Sequence, residues 1–83
     1  MNERFSVYQF FPDSTYECVR SRVDIEQAIR AAMHYTSSVG ALIGTTRRVA
    51  ITDDGDRTVF EWRYGEGIVF PREPTTSEQG VRP

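Results

Sequence analysis

Four groups of residues in this 83-residue chain have types and spacings that could do chemistry. Asp53, Asp54 and Asp56 fall within four positions, with Glu61 downstream. Oxygens so close together suit a hard cation such as calcium. The stretch lacks the twelve-residue calcium loop and its terminal bidentate glutamate. Aspartates also close tight turns by accepting bonds from their own backbone, and that is the role assigned here. Cys18 and His34 are the single cysteine and single histidine. A nucleophile and base must meet within hydrogen-bond reach. His34 follows Ile25 by nine residues, which on a helix turns it away from the apolar stripe and toward solvent. Gly40-Ala41-Leu42-Ile43-Gly44 carries two glycines, but after a helix and without the Lys-Ser/Thr that follows a phosphate loop. It reads as a helix stop and connector. No catalytic residue, metal ligand or cofactor-binding residue is assigned.

The fourth group is Tyr8, Phe10 and Tyr16 with Arg20 and Arg22. On one sheet face these residues could bury themselves against a partner, because large exposed apolar patches mark interfaces. They could instead stack single-stranded bases, or belong to the core if the faces are reversed. The net charge of −2 disfavours nucleic acid. All ten basic residues are arginine, which offers a planar fork for phosphates and carboxylates. Arg47-Arg48 is too short for a nucleic-acid patch, and Arg48 has an expected cross-strand partner in Glu61.

These groups need elements to hold them. A strand over Arg4–Phe11 and a second over Thr15–Val23 flank Pro12-Asp13-Ser14, with proline fixing φ at the first turn position. A type I turn with a left-handed Ser14 would pair Phe11 with Thr15, Gln9 with Glu17 and Val7 with Val19. Tyr8, Phe10, Tyr16, Cys18 and Arg20 then share the opposite face. Both faces are apolar, so the register alone leaves the core face open.

Asp24 is a strong helix N-cap, with Gln27 completing a capping box and Val23 and Ala28 forming a staple. Apolar positions 25, 28, 29, 32, 33, 36 and 39 make one stripe at ~100° per residue. The helix is expected from Ile25 to Ser38 or Val39, with Gly40 and Gly44 as stops and one extra turn open through Ile43. Strands over Arg47–Thr52 and Arg57–Tyr64 follow, joined at Asp54-Gly55, the strongest turn signal in the chain. A two-residue loop there sets Val49 opposite Phe60 and Arg48 opposite Glu61, with Ile51 and Trp62 on the apolar face. A three-residue loop would place Arg57 beside Ile51 and Val49 beside Val59, a less clean partition. Ile68-Val69-Phe70 can add a short edge strand before Pro71.

The fold expected is therefore α+β and two-layered: an antiparallel sheet of four strands, with room for a fifth, and one helix on a face, in the order β-β-α-β-β. Residues 1–70 form one domain, and residues 71–83, with three of the four prolines, form a disordered tail. The expected core is Phe5, Val7, Val19, Ile25, Ala28, Ile29, Ala32, Met33, Thr36, Val39, Val49, Ile51, Phe60 and Trp62. On that packing an Ile29→Asp substitution should unfold the domain. No apolar run is long enough to span a membrane, and the first residues form no apolar signal segment. One cysteine cannot make an internal disulfide, and cytoplasmic residence fits.

Phe5-Ser6-Val7-Tyr8-Gln9-Phe10-Phe11-Pro12-Asp13 and Arg48-Val49-Ala50-Ile51-Thr52-Asp53 resemble a group of small uncharacterised proteins from Gram-negative bacteria. The resemblance covers most of residues 5–70. It implies a bacterial, cytoplasmic setting and no catalytic or binding residues.

A core this small stabilises by only roughly 3–5 kcal/mol, and pairing of two copies is a common remedy. The function expected is a non-enzymatic interaction module. It would act as a homodimer or with a protein partner, through the sheet face or edge that the helix leaves uncovered, with Tyr8, Phe10, Tyr16 and Arg20 as the interaction surface. The alternative is a single-stranded nucleic-acid binder using the same four residues.

Overall fold

The computed structural model describes residues 3–71, so the tail expected over residues 71–83 lies outside the described residues except for Pro71. The chain runs β1 (Phe5–Phe10), β2 (Tyr16–Val23), α1 (Ile25–Thr36), α2 (Val39–Ile43), β3 (Arg48–Thr52), β4 (Thr58–Arg63) and β5 (Gly67–Phe70). The strands form one antiparallel sheet in the order β2-β1-β3-β4-β5. The α+β class and the fifth strand agree with the sequence.

The first turn forms as its residues dictate. Phe11 N donates to Thr15 O at 2.9 Å, and Ser14 takes a left-handed φ of 74°. Gln9 pairs with Glu17, but Val7 pairs with Arg20 rather than Val19. Between Cys18 and Arg20 the strand carries one extra residue, a bulge at Val19. A bulge sets two neighbouring side chains on one side of the strand. Val19 packs on the core, and Arg20 follows it to the helix side.

The second turn also departs from expectation. Its loop has three residues, Asp54, Gly55 and Asp56, closed by Asp53 N to Arg57 O at 3.0 Å, with Asp56 at φ 61°. The Asp53 carboxylate holds this shape by accepting from Gly55 N at 2.9 Å and Arg57 N at 3.0 Å. A further bulge, at Val59, follows. Val49 therefore lies opposite Trp62, Ile51 opposite Phe60, and Arg48 opposite Arg63. The face partition survives, because Val49, Ile51, Phe60 and Trp62 still share the helix side.

Asp24 caps α1 by accepting from Gln27 N at 2.8 Å. The helix ends at Thr36, earlier than expected. Ser37 Oγ donates to Met33 O at 2.8 Å, and Ser38 turns extended and caps α2 through Ala41 N. Gly44, at φ 92°, ends α2.

The core corrects the expected list. Val7, Ala28, Ala31, Ala32, Val49 and Ile51 form its buried cluster. Ile25, Ile29, Met33 and Val39 are instead exposed. The reason is the width of the apolar arc on α1. Ala31 and Tyr35 extend it to about 200° around the helix, more than one sheet can cover. The helix settles on its alanine side, where small side chains allow close approach, above β1, β3 and β2. Gln9 is also buried, accepting from Thr46 Oγ1 at 2.9 Å and donating to Glu17 at 2.9 Å. It ties the loop after α2 to the sheet.

Candidate interaction surface

The placement of α1 leaves β4 and β5 uncovered on the helix side. A groove of about 420 Å³ runs there, floored by Ile51, Phe60, Trp62 and Ile68 and walled by Ile29 and Met33. None of the residues lining it is ionisable. Strands lie about 4.8 Å apart and a helix with its side chains is about 10 Å across. The uncovered strip is thus about one helix wide.

Beyond α1, α2 buries Ala41 and turns Val39, Leu42 and Ile43 outward, each around 70% exposed. At 100° per residue these three lie on the side of α2 opposite Ala41. Ile25, Ile29, Met33 and Ile68 are exposed as well.

The opposite, open face of the sheet is built differently. The Tyr8 and Tyr16 rings meet edge to face at 5.9 Å, and Phe10 and Tyr16 lie 5.3 Å apart. The Arg48 guanidinium sits over Phe10 at 4.5 Å. Its Nε donates to Glu61 Oε2 at 2.7 Å, and Arg63 Nε donates to the same oxygen at 2.7 Å. Burial pushes the Glu61 carboxyl up, but the bonds and charges of Arg63 and Arg48 outweigh it and hold the group below its ordinary range. Base stacking needs open ring faces and cations left unpaired. Here Arg48 caps Phe10, and both arginines are held by Glu61.

Of the four surface residues expected, Tyr8, Phe10 and Tyr16 come together on this open face, around a shallow recess shared with Arg48 and Thr58. Arg20 does not join them. The Val19 bulge carries it to the helix side, beside Gln27, Arg30 and His34. Cys18 pairs with Tyr8 in the ladder while His34 projects from α1, so the sheet lies between thiol and imidazole. The acidic turn residues are engaged locally. Asp53 closes its own loop and meets Arg57 at 3.3 Å, and Asp54 accepts from Arg4 N at 3.2 Å. No cluster of three metal-ligating side chains occurs among the described residues.

The groove residues Ile68 and Met33 and the α2 face were not singled out as a site from sequence. The available signal was the aliphatic pair Leu42-Ile43 set between two glycines, where a solvated connector would be polar. No helix of the described residues is long and apolar enough to cross a membrane. Comparison of the chain with protein-family models, curated proteins and solved structures gives no match.

Proposed function

We propose that this protein is a non-enzymatic interaction module that acts as a homodimer, with a second copy covering the groove and the α2 face. One observation carries the reading. Helix α1 faces its own sheet with Ala28, Ala31 and Ala32 and carries Ile25, Ile29 and Met33 on its flank, where they remain exposed. A solitary helix on a sheet gains most by burying its largest apolar side chains, so the inverted arrangement suits a partner on the other flank.

The partner's chemistry follows from the surface. It lacks charge, which removes the basis for recognising a nucleic acid or a charged peptide. It combines a concave groove with a convex apolar ridge, and a surface with both can close on itself about a two-fold axis. Its seven large aliphatic residues expose on the order of the ~800 Å² per partner that a stable complex covers. A single exposed thiol, Cys18, suits the reducing cytoplasm.

Light scattering over a concentration series tests this. The wild-type chain should have about twice its 9.5 kDa mass, and Met33→Glu and Leu42→Glu should be folded monomers. A wild-type monomer at about 100 μM would sink the homodimer.

A further inference from the structure

We infer that the recess between β2 and α1 is a binding site for a phosphate group, either free or as a phosphomonoester. The recess holds about 250 Å³ and is lined by Arg20, Gln27, Arg30, Ala31 and His34. Two guanidiniums, an amide and an imidazole surround it, and no carboxylate lines it.

Two local features build it. On α1, Gln27, Arg30 and His34 follow the i, i+3, i+7 spacing that sets side chains on one face. They lie about 100–160° around the helix from Ile29, away from the apolar flank. On β2, the Val19 bulge turns Arg20 out of the aromatic face and toward the helix. Buried Ala31 leaves the space between them.

The basic side chains there, Arg20, Arg30 and His34, form no ion pair within the described residues. Glu17, the nearby acid of β2, is bonded to Gln9. Glu26 stands one turn before Arg30 and forms no ion pair with it. Arg20 donates one Nη1 bond to Val19 O at 2.6 Å, which steadies its guanidinium. Four of its five donors remain.

Phosphate fits this donor set better than carboxylate. A carboxylate is satisfied by one arginine fork. A phosphate offers three strong acceptor oxygens and close to two charges, which can engage donors arriving from both elements. This site does not depend on the dimer, because the two surfaces occupy different flanks of α1.

The test is an NMR titration of the full-length chain with inorganic phosphate, phosphoserine and acetate at constant ionic strength, following backbone amides. Phosphate should give saturable shifts confined to Arg20 and Gln27–His34, with a Kd of about 1 mM or a few times that. Arg20→Gln and Arg30→Gln, folded by circular dichroism, should each weaken it about five-fold or more. Tighter binding of phosphoserine than of phosphate would identify a phosphomonoester site, and the reverse a site for the free ion. Equal shifts with acetate, shifts spread evenly over all arginines, or no saturation by about 50 mM phosphate would overturn the proposal. So would an unchanged Kd in both variants.

Discussion

A charge at position 28 and a charge at position 29 should have opposite consequences, although the two residues are adjacent and both lie on the apolar arc of α1. Ala28 is fully buried against the sheet, whereas Ile29 is 47% exposed on the groove wall. Burying a whole aliphatic side chain is worth about 1.5–3 kcal/mol, so the half that Ile29 buries within its own chain is worth about 1 kcal/mol. The new carboxylate of Ile29→Asp reaches water at the groove and pays little desolvation. The domain should stay folded, with a melting temperature about 4–8 °C lower, and should lose self-association. Ala28→Asp places an unpaired carboxylate in the closed layer at a cost of several kcal/mol, comparable to the roughly 3–5 kcal/mol a core of this size supplies. It should not fold. Thermal melts by circular dichroism at low micromolar concentration, followed by light scattering, read both outcomes. An Ile29→Asp chain that unfolds like Ala28→Asp would refute the rotation of α1 onto its alanine side. One that folds but remains dimeric with wild-type affinity would refute the role of the groove.

Acid should destabilise the domain through Glu61. Arg48 and Arg63 hold its folded-state carboxyl below the ordinary range, so its contribution is complete above the unfolded-state pKa of about 4.3 and is lost as pH falls through the lower folded value. Melting temperature measured from pH 6 to pH 2 should fall in that lower window, and Glu61→Gln should flatten part of the fall; an identical profile in the variant would count against the triad. Thr46→Val removes the 2.9 Å bond from Thr46 Oγ1 to Gln9 and leaves a buried amide oxygen unpartnered. Urea titration should show a loss of about 1–3 kcal/mol, and a loss below measurement error would mean that water replaces the hydroxyl.

The elements were legible because each depends on a local signal that the chain states plainly. Asp24 and Gln27 mark the start of α1, Pro12-Asp13 marks the first turn, and alternating Val49, Ile51, Phe60 and Trp62 declare one apolar face. The registers were less legible, and a bulge contributed in both hairpins. A bulge inserts a residue without a distinctive sequence mark, since Val19 and Val59 would serve equally well in a regular strand. Each bulge alters pairing by one residue, and in the second hairpin the loop also holds one residue more than expected. At β4 the error was harmless, because the extra loop residue and the bulge together shift the pairing by two residues and keep Phe60 and Trp62 on the apolar side. At β2 it moved Arg20 across the sheet and broke up the expected aromatic-arginine surface.

The proposed interaction surface was hidden for a different reason. Periodicity locates an apolar arc on a helix but does not say which part of a wide arc faces the sheet. On α1 the arc spans alanines on one flank and Ile25, Ile29 and Met33 on the other. Ranking residues by hydrophobicity favours the large flank as core. Close packing favours the small flank, because a helix riding on alanines can sit low on the sheet and fill its interior at native density. The structure follows packing, and the large residues are left over. They lie beside an uncharged strip about one helix wide and a short helix that turns three more aliphatic residues outward. A chain of this size gains little by exposing so much apolar area unless something covers it. The first hairpin, apolar on both faces, drew attention to the open side of the sheet. There the rings pack on one another and Arg48 and Arg63 close over Glu61, although Tyr16 stays exposed. The surface we propose for a partner is the one on the helix side.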